Sequence, residues 1–389
     1  MKKKLKALFL TPTSLRKYNG IEKKVLFQYE ALKKNNLDIE LCFLDRDERL
    51  GIARKIYRED KIENKVLKNF KTRNNYIKKL FSIFFYWNFS DVFNYILENK
   101  IKLIYIRYEY ASNYGFIKFL KKLKEKKIMI LIEIPTYPYD QELLRSSLRV
   151  KIKYFVDKYY RNYLHKYVHR IITFSNDDEI YGIKTIKISN GIDINKIPLI
   201  TREKLVKEIN FIGVAGLALW HGFDRFILSM SEYYKNNPKE IIKFHIVGSS
   251  SKEIMEELKK LVKNNNLNDY VIFYGYKSGK DLDNIYNQTD IAIGSLGIHR
   301  IGLTEVQPLK NREYCAKGLP FVISFNDPCF ENKDFVFKVS NNEELFDINE
   351  IIDWYKNLKI SPKEIREYSK QFTWNIQMGK VVKYLEDKN

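Results

Sequence analysis

Short apolar runs alternate with polar, helix-forming segments along the whole chain, and this alternation restricts the fold more than any other feature. Runs of this length and composition are typical of buried strands. Strands that alternate with helices form parallel sheets with crossover helices, so the sequence predicts an α/β protein. The predicted strands are 5–10, 39–44, 103–108, 128–134 and 171–174, followed by 210–214, 243–247, 271–274, 290–293 and 321–324.

A Pro-containing segment separates the two sets of strands and predicts two Rossmann-like domains. We place the first domain at 1–195 and the second at 208–371, with the linker at 195–207 and a last helix within 372–389. A length of 389 residues suits two domains of ordinary size. The basic, apolar start resembles that of a signal peptide, but the apolar run ends at Thr11, so we interpret it as the first strand.

Composition argues against a metal site and against a membrane span. Three isolated cysteines, with no paired spacing, suit a reducing compartment. His165 and His169 stand four apart on a predicted helix, but no third ligand follows at a suitable spacing, so solvated or packed histidines are favoured. The longest later apolar run, 80–87, is far shorter than the roughly 20 residues that a spanning helix needs.

Positive charge is concentrated in the first half of the chain. Residues 1–190 hold 41 Lys and Arg against 21 Asp and Glu, whereas residues 191–389 hold 28 against 27. A Lys-rich background would give both halves a basic excess, so the first half is predicted to meet a membrane surface, a lipid-linked phosphate or nucleic acid. The basic run 65–79 beside the aromatic segment 76–97 is typical of an interfacial helix, although a helix packed on the sheet is the favoured interpretation.

The stretch 302–320 carries the main candidate site. Glu305 lies in a loop, and Glu313 lies about one turn into a helix predicted over 309–317, which Gly318 ends. A loop that leads into a helix N-terminus binds anions. With one carboxylate on each side to accept hydrogen bonds from hydroxyls, the stretch suits a sugar nucleotide.

The spacing of the two glutamates resembles the E-x7-E signature of retaining GT-B glycosyltransferases, most closely family 4. Other segments share the resemblance in chain order: 188–193 closes the first domain, the glycine loop 213–222 opens the second, and 372–374 precedes the last helix. The resemblance implies two Rossmann-like domains facing across a cleft, with the C-terminal helix crossing back to the first domain.

The resemblance also implies a reaction and a set of roles. A sugar would move from a nucleoside diphosphate donor, the co-substrate, to a glycan or lipid-linked acceptor with retained configuration, without a metal or cofactor. Glu313 would bind the ribose hydroxyls and Glu305 the donor sugar. His221, Arg300 and Lys310 would stabilise charge on the leaving diphosphate, which itself would take the acceptor proton. The other donor-binding candidates lie in glycine loops or at strand and helix ends: Gly213, Gly216, Gly222, Gly248, Tyr276 and Leu309.

The acceptor-side candidates follow predicted strands of the first domain, where α/β sheets bind ligands. They are Asn19, Gly20 and Glu22 after the first strand, Arg107 at the end of 103–108, and Glu133 and Tyr137 around a proline-containing loop. For residues 19–22 an ordinary turn before a helix is the favoured interpretation.

Three positions depart from the family pattern. Val214 and His221 stand where family members carry an Arg and a Lys that hold the diphosphate, and Pro308 stands where they usually carry Gly. Proline has no N–H to offer a phosphate. Arg300 and Lys310 are therefore expected to supply the missing charge.

Two other classes of function stay open. One is a sugar-nucleotide epimerase of the same fold, and the other is a basic RNA-binding protein, for which no signature is present. A paired-carboxylate hydrolase is disfavoured because one glutamate is assigned to the ribose end. The expected setting is surface polysaccharide synthesis in the cytoplasm, at the inner face of the cytoplasmic membrane.

Overall fold

The computed structural model describes residues 4–15, 20–47, 51–58, 65–70, 87–110, 112–144, 147–200 and 208–387. The chain separates into two compact units. The first consists of Met1–Ser189 together with Trp374–Asn389, and the second is the continuous segment Asn190–Thr373. The limits predicted from the sequence are different, at 1–195 for the first domain and 208–371 for the second.

The first unit is built on a nine-stranded sheet of order β4-β3-β2-β1-β5-β6-β7-β9-β8. Its central strands are parallel, since β1 pairs in parallel with both β2 and β5. The strands are β1 (Lys6–Thr11), β2 (Asp38–Asp47), β3 (Gly51–Tyr57), β4 (Lys65–Phe70), β5 (Leu103–Arg107), β6 (Met129–Ile134), β7 (Arg170–Thr173), β8 (Glu179–Ile180) and β9 (Ile183–Lys187).

Helices cover both faces of this sheet. Successive residues of β1 point to opposite faces, so Leu8 and Leu10 enter one apolar core while Ala7 and Phe9 enter the other. The helices are α1 (Gly20–Lys34), α2 (Ser90–Glu98), α3 (Tyr114–Glu125), α4 (Asp140–Leu144) and α5 (Leu148–Tyr160).

The second unit is a doubly wound α/β domain. Its six parallel strands have the order β12-β11-β10-β13-β14-β15. The strands are β10 (Glu208–Val214), β11 (Ile241–Val247), β12 (Val271–Gly275), β13 (Ile291–Ile293), β14 (Phe321–Ile323) and β15 (Val336–Lys338). The helices are α6 (Phe223–Lys235), α7 (Lys252–Asn264), α8 (Gly279–Tyr286), α9 (Leu309–Lys317), α10 (Ile348–Asn357) and α11 (Pro362–Ser369).

The last helix, α12 (Trp374–Glu386), belongs to the first unit. Trp374, Met378 and Val381 are buried in the same core as Val25 and Tyr29 of α1. Apolar residues at this helical spacing explain the packing, because they form one stripe along α12. The structure therefore confirms the predicted α/β class, with two mainly parallel sheets.

Some sequence expectations are wrong. Residues 176–178, whose polar side chains predict the cap of a helix, instead precede the β8–β9 hairpin. His169 is not on a helix: it lies just before β7, where its Nδ1 accepts a hydrogen bond from the Ile130 amide at 3.1 Å. The antiparallel strands β3 and β4 at one sheet edge were not predicted.

The predicted basic and aromatic segment lies largely outside the described residues. Its described parts are β4 (Lys65–Phe70) at the start, and Trp87 and α2 at the end. Within the described chain, no helix combines the length and the apolar character needed to cross a bilayer.

Candidate functional site

The strand order of each sheet reverses at one point, between β10 and β13 in the second unit and between β1 and β5 in the first. Open α/β sheets bind ligands at the carboxyl ends of the strands at such a reversal. Lys310 and the glycine loop of the predicted donor side gather at the reversal of the second unit.

In the second unit, the loops after β10 and β13 pack directly on each other. The Leu296 amide donates to the His221 carbonyl at 2.9 Å, and the Gly297 amide donates to the Trp220 carbonyl at 3.2 Å. Gly222 has a φ of 63°, and a Cβ there would lie 2.6 Å from the Leu296 carbonyl carbon. Glycine is therefore required where the two loops meet.

The ends of β11 and β12 join the same surface. The Gly248 amide donates to the Gly275 carbonyl at 2.8 Å. Gly248 has a φ of 141°, and a Cβ there would lie 1.7 Å from the Ala215 carbonyl oxygen. A Cβ on Gly216, in contrast, would meet nothing within 4 Å. Gly213 lies under the Phe223 ring, and Tyr276 is 74% exposed just beyond β12.

Helix α9 is fixed to the strand ends by its buried side. The Tyr314 hydroxyl accepts a hydrogen bond from the Val214 amide at 3.2 Å and donates to the Ile293 carbonyl at 3.1 Å. Arg312 is fully buried and paired with Asp327. The start of the helix, with Leu309 half-buried in its first turn, is thus held beside the carboxyl ends of β10 and β13.

Lys310 places a buried ammonium group at this position. Its Nζ is buried, no hydrogen-bond partner for it lies among the described residues, and it stands 5.7 Å from the centre of the Phe223 ring. Burial lowers the pKa of Lys310 to about 7. An anion bound at the start of α9 would both pair with this group and favour its charged form.

His221 does not supply the positive charge expected from the sequence. Its Nδ1 accepts a hydrogen bond from the Ala218 amide at 3.1 Å. Burial, with a further contribution from the charge of Lys310, lowers the pKa of His221 to about 3. The ring is therefore neutral near pH 7, and the positive charge of this region is left to other residues, as expected from the sequence for Arg300 and Lys310.

Arg300 is paired with carboxylates of its own unit. Its guanidinium bonds Asp224 at 2.7 Å and 2.9 Å, Glu343 at 2.7 Å, and the Leu219 carbonyl at 2.8 Å. Hydrogen bonds with Glu343 and Asp224 raise the pKa of Arg300. Two carboxylates balance its charge, so the geometry makes Arg300 a clamp between loops and corrects the expectation that it faces a diphosphate.

Glu305 and Glu313 are both exposed at the surface of this region. The segment carrying Glu305 is pinned beside Asn326, since the Val306 amide donates to the Asn326 carbonyl at 3.0 Å. Glu313 projects from the exposed side of α9. Both carboxylates thus lie at the surface of the second unit.

On the predicted acceptor side, the Glu133 carboxylate is used within the first unit. It is fully buried and accepts hydrogen bonds from Gln28 at 2.7 Å, from Tyr105 at 2.5 Å and from Arg107. It is not accessible to an acceptor, which corrects its predicted role. The sequence indicated its place at the end of β6, but it could not show its three partners.

A small cavity of about 50 Å³ lies at the strand reversal of the first unit. Arg107 lines it, and Glu109 beside it accepts a hydrogen bond from the Thr13 hydroxyl at 3.0 Å. The lining residues are mostly apolar and lie in β1, β2, β3, β5 and α3, in the segments that follow β1 and β5, and just before α2: Leu10, Thr11, Pro12, Leu44, Arg54, Phe89, Ile106, Arg107, Tyr108, Glu109 and Phe116.

The other described acceptor-side candidates are not among the residues that line the cavity. Glu22 is buried in the first turn of α1, which begins at Gly20. Tyr137 is half-buried, with its ring centre 5.8 Å from that of Tyr181. Asn19 lies outside the described residues. Among the described residues, no group of three or more His, Cys, Asp or Glu side chains is placed to hold a metal ion.

Comparison with known proteins places this architecture. The family model described as "Glycosyl transferases group 1" matches residues 200–372. Over 167 residues the chain is 28% identical to the mannosylfructose-phosphate synthase of Agrobacterium fabrum, an alignment that covers 39% of this chain and 36% of that protein. The match thus spans little more than a third of the relative.

Solved structures share the fold over the whole chain. The sucrose-phosphate synthase of Thermosynechococcus elongatus superposes with a TM-score of 0.65 at 15% identity, covering 100% of both chains. Anabaena HepE in complex with UDP superposes with a TM-score of 0.60 at 13% identity, covering 98% of this chain and 100% of that one. At these identities the likeness is one of fold.

Proposed function

We propose that the protein transfers a sugar from a nucleoside diphosphate donor to a glycan or lipid-linked acceptor, because residues 200–372 match the glycosyl transferases group 1 model and the chain has the GT-B fold. The observation that carries the proposal is Lys310. Its buried ammonium lacks a hydrogen-bond partner among the described residues and stands at the start of α9, where an anion is favoured.

The donor would lie along the strand ends of the second unit. Its diphosphate would face Lys310 and the free amides of the first turn of α9, which Pro308 precedes without an N–H of its own. Glu313 would accept hydrogen bonds from the ribose hydroxyls, and Glu305 from the donor sugar. HepE was solved with UDP, which supports a nucleotide as the ligand of this fold.

In this proposal the reaction proceeds with retention and without a resident metal or cofactor. As the bond from the anomeric carbon to the diphosphate breaks, negative charge grows on the departing oxygen. Lys310 stabilises that charge, and the departing phosphate takes the acceptor proton, so no protein base is assigned. An interaction that strengthens as charge develops lowers the barrier rather than merely tightening donor binding.

The charge distribution supports an acceptor at an anionic surface. The second unit would bind the soluble, anionic donor, yet its numbers of acidic and basic residues are nearly equal. Residues 1–190, in contrast, hold 41 Lys and Arg against 21 Asp and Glu. An acceptor carried on a lipid pyrophosphate would explain the difference, because basic residues near an anionic membrane contribute about 1 kcal/mol each. We therefore propose peripheral attachment at the inner membrane face, in surface polysaccharide synthesis.

A panel of nucleotide sugars, tested for a rise in melting temperature, is the experiment that identifies the donor. We expect one nucleotide sugar to stabilise the protein, and the Lys310→Gln variant to lose most of that shift. Release of free sugar and of an epimerised product without any acceptor would favour the epimerase reading. No shift with any nucleotide sugar would overturn the proposal.

A further inference from the structure

Helix α5 (Leu148–Tyr160) presents a row of large apolar side chains to solvent. Leu148 is 75% exposed, Ile152 59%, Phe155 58% and Tyr159 60%. The spacing of four, three and four residues puts them on one side of the helix, within about 60° of one another at 3.6 residues per turn. We call these four residues the α5 stripe.

The α5 stripe is not the face by which the helix packs on its own domain. Tyr154 and Asp157 are buried, and they lie on the opposite side of the helix axis. Asp157 accepts hydrogen bonds from the Tyr108 and Tyr139 hydroxyls and from the Ser112 amide, which anchors that inner face. The helix therefore has a second, apolar face, which is exposed to solvent in the part of the chain that the structure describes.

Basic residues flank the α5 stripe. From residue 147 to residue 168 the sequence holds six Lys and Arg and a single acidic residue, the buried Asp157. Lys153 and Lys158 are exposed and Lys151 is half-buried. At 100° per residue, Lys151 and Lys158 lie about 70° and about 90° from the middle of the stripe, whereas Lys153 lies about 130° from it, towards the buried face. The exposed surface of this helix thus combines apolar side chains with positive charge alone.

We propose that the α5 stripe is the surface by which the protein docks on an anionic lipid bilayer. Apolar side chains would enter the boundary between headgroups and acyl chains, while the flanking lysines would pair with anionic headgroups. Tyr159 carries a polar tip on an apolar body, which suits that boundary. This inference rests on the proposed lipid-linked acceptor and names the element that reaches its membrane.

Charge argues against a second copy of the chain as the occupant. Two α5 stripes packed face to face would bring the lysines of both helices together with no exposed acidic residue between 147 and 168 to pair with them. Like charges facing each other across an interface disfavour the contact. An anionic membrane supplies the opposite charge.

The position of α5 fits delivery of an acceptor to the first unit. The Lys153 ammonium donates to the Glu109 carbonyl at 3.2 Å, and Glu109 lines the cavity at the strand reversal. The second turn of α5 therefore lies next to the end of the sheet at which we place the acceptor. A lipid carrier held at the stripe would have its head group close to that edge.

Flotation with vesicles tests the proposal directly. We expect the full-length protein to float with phosphatidylcholine vesicles containing about 30% phosphatidylglycerol at low salt, and to remain behind with pure phosphatidylcholine. The double variant Ile152→Ser with Phe155→Ser should reduce the bound fraction at least tenfold. A matched pair of exposed apolar residues in the second unit, Ile241→Ser with Leu345→Ser, should leave it unchanged.

A fluorescence measurement does not depend on a loss of binding. The variant Phe155→Trp should show a blue-shifted emission with anionic vesicles and quenching by lipids brominated in the upper acyl chain. The control Leu345→Trp should show neither. Replacement of Lys151 and Lys158 with Gln should weaken flotation, whereas replacement of Lys259 and Lys260 should not.

Three results would overturn the inference. The first is equal flotation of the stripe variant and the wild type, and the second is an unshifted emission of Phe155→Trp with anionic vesicles. The third is a wild type that does not bind vesicles but self-associates in solution, with the stripe variant abolishing that self-association. The melting shift with nucleotide sugars is measured without lipid. A donor shift without flotation would leave the transferase proposal standing and remove the docking surface.

Discussion

At the scale of single residues, the proposed donor site depends on the charge state of Lys310. Burial lowers the pKa of Lys310 to about 7, from a usual value of 10.5. A diphosphate bound beside this group would favour its protonated form near neutral pH. The proposed function therefore predicts that donor binding is coupled to proton uptake.

The first prediction follows from this coupling. The affinity for an intact nucleotide sugar should fall as the pH rises from about 7 to about 9, because protonating Lys310 becomes harder. In Lys310→Arg the guanidinium stays charged, so the affinity should change little over the same range. Titration calorimetry in two buffers of different ionisation enthalpy measures the proton uptake directly, and its absence in the wild type would contradict the coupling.

The second prediction is that replacing Lys310 lowers activity but raises stability. Lys310→Met should lower the transfer rate at least about tenfold, since the cation acts on the charge of the leaving group. The same variant should be more stable than the wild type near pH 7. In the wild type, Lys310 binds a proton readily in the unfolded chain but only weakly when it is buried in the folded protein, and this difference favours unfolding. The pKa of Lys310 is lower in the folded protein than in the unfolded chain. The free energy of unfolding of the wild type should therefore rise between about pH 7 and about pH 10, and its difference from that of the variant should shrink. Thermal unfolding at several pH values measures this.

The third prediction separates the two exposed carboxylates. Glu313→Gln should weaken binding of the free nucleoside diphosphate, because an acceptor of two hydroxyl hydrogen bonds becomes an amide that accepts fewer. Glu305→Gln should leave that affinity unchanged and lower the rate with the nucleotide sugar. Equal effects of both substitutions on nucleotide binding would remove the assignment of Glu313 to the ribose.

At the scale of elements, the sequence predicted the strands well because each of them is a short apolar run that the sheet buries. All ten predicted strands are present, and α9 has the predicted bounds. Strands β3 and β4 were not predicted, because they mix Lys and Arg with apolar residues at a sheet edge. The neutral ring of His221 and the internal pairing of Glu133 depend on side chains distant in sequence, which a linear pattern does not contain.

The fourth prediction concerns the glycine loops of the donor site. Gly248→Ala should destabilise the protein by at least about 2 kcal/mol, because the new methyl group would overlap the Ala215 carbonyl in a backbone conformation that suits glycine. Gly216→Ala is the matched control, since its methyl group would meet nothing within 4 Å. Urea unfolding of both variants measures the difference, and similar losses would show that the close approach of the loops is relieved elsewhere.

At the scale of the whole molecule, the chain crosses between its units twice, at Ser189–Asn190 and at Thr373–Trp374. The core of the first unit includes Trp374, Met378 and Val381 from α12. The fifth prediction is that truncation after Thr373 destabilises the first unit far more than the second. Limited proteolysis should then cleave within residues 1–189 while a fragment near 190–373 survives.

This return of the chain also determines when each unit can complete its fold during synthesis on the ribosome. The unit that is made second is continuous in sequence, so it has every residue it needs once Thr373 has left the exit tunnel. The unit made first must wait for α12 before its core is closed. Domains usually finish folding in the order of their translation. Here the order of completion is reversed, and the basic first half of a nascent chain remains unfinished until α12 has been synthesised.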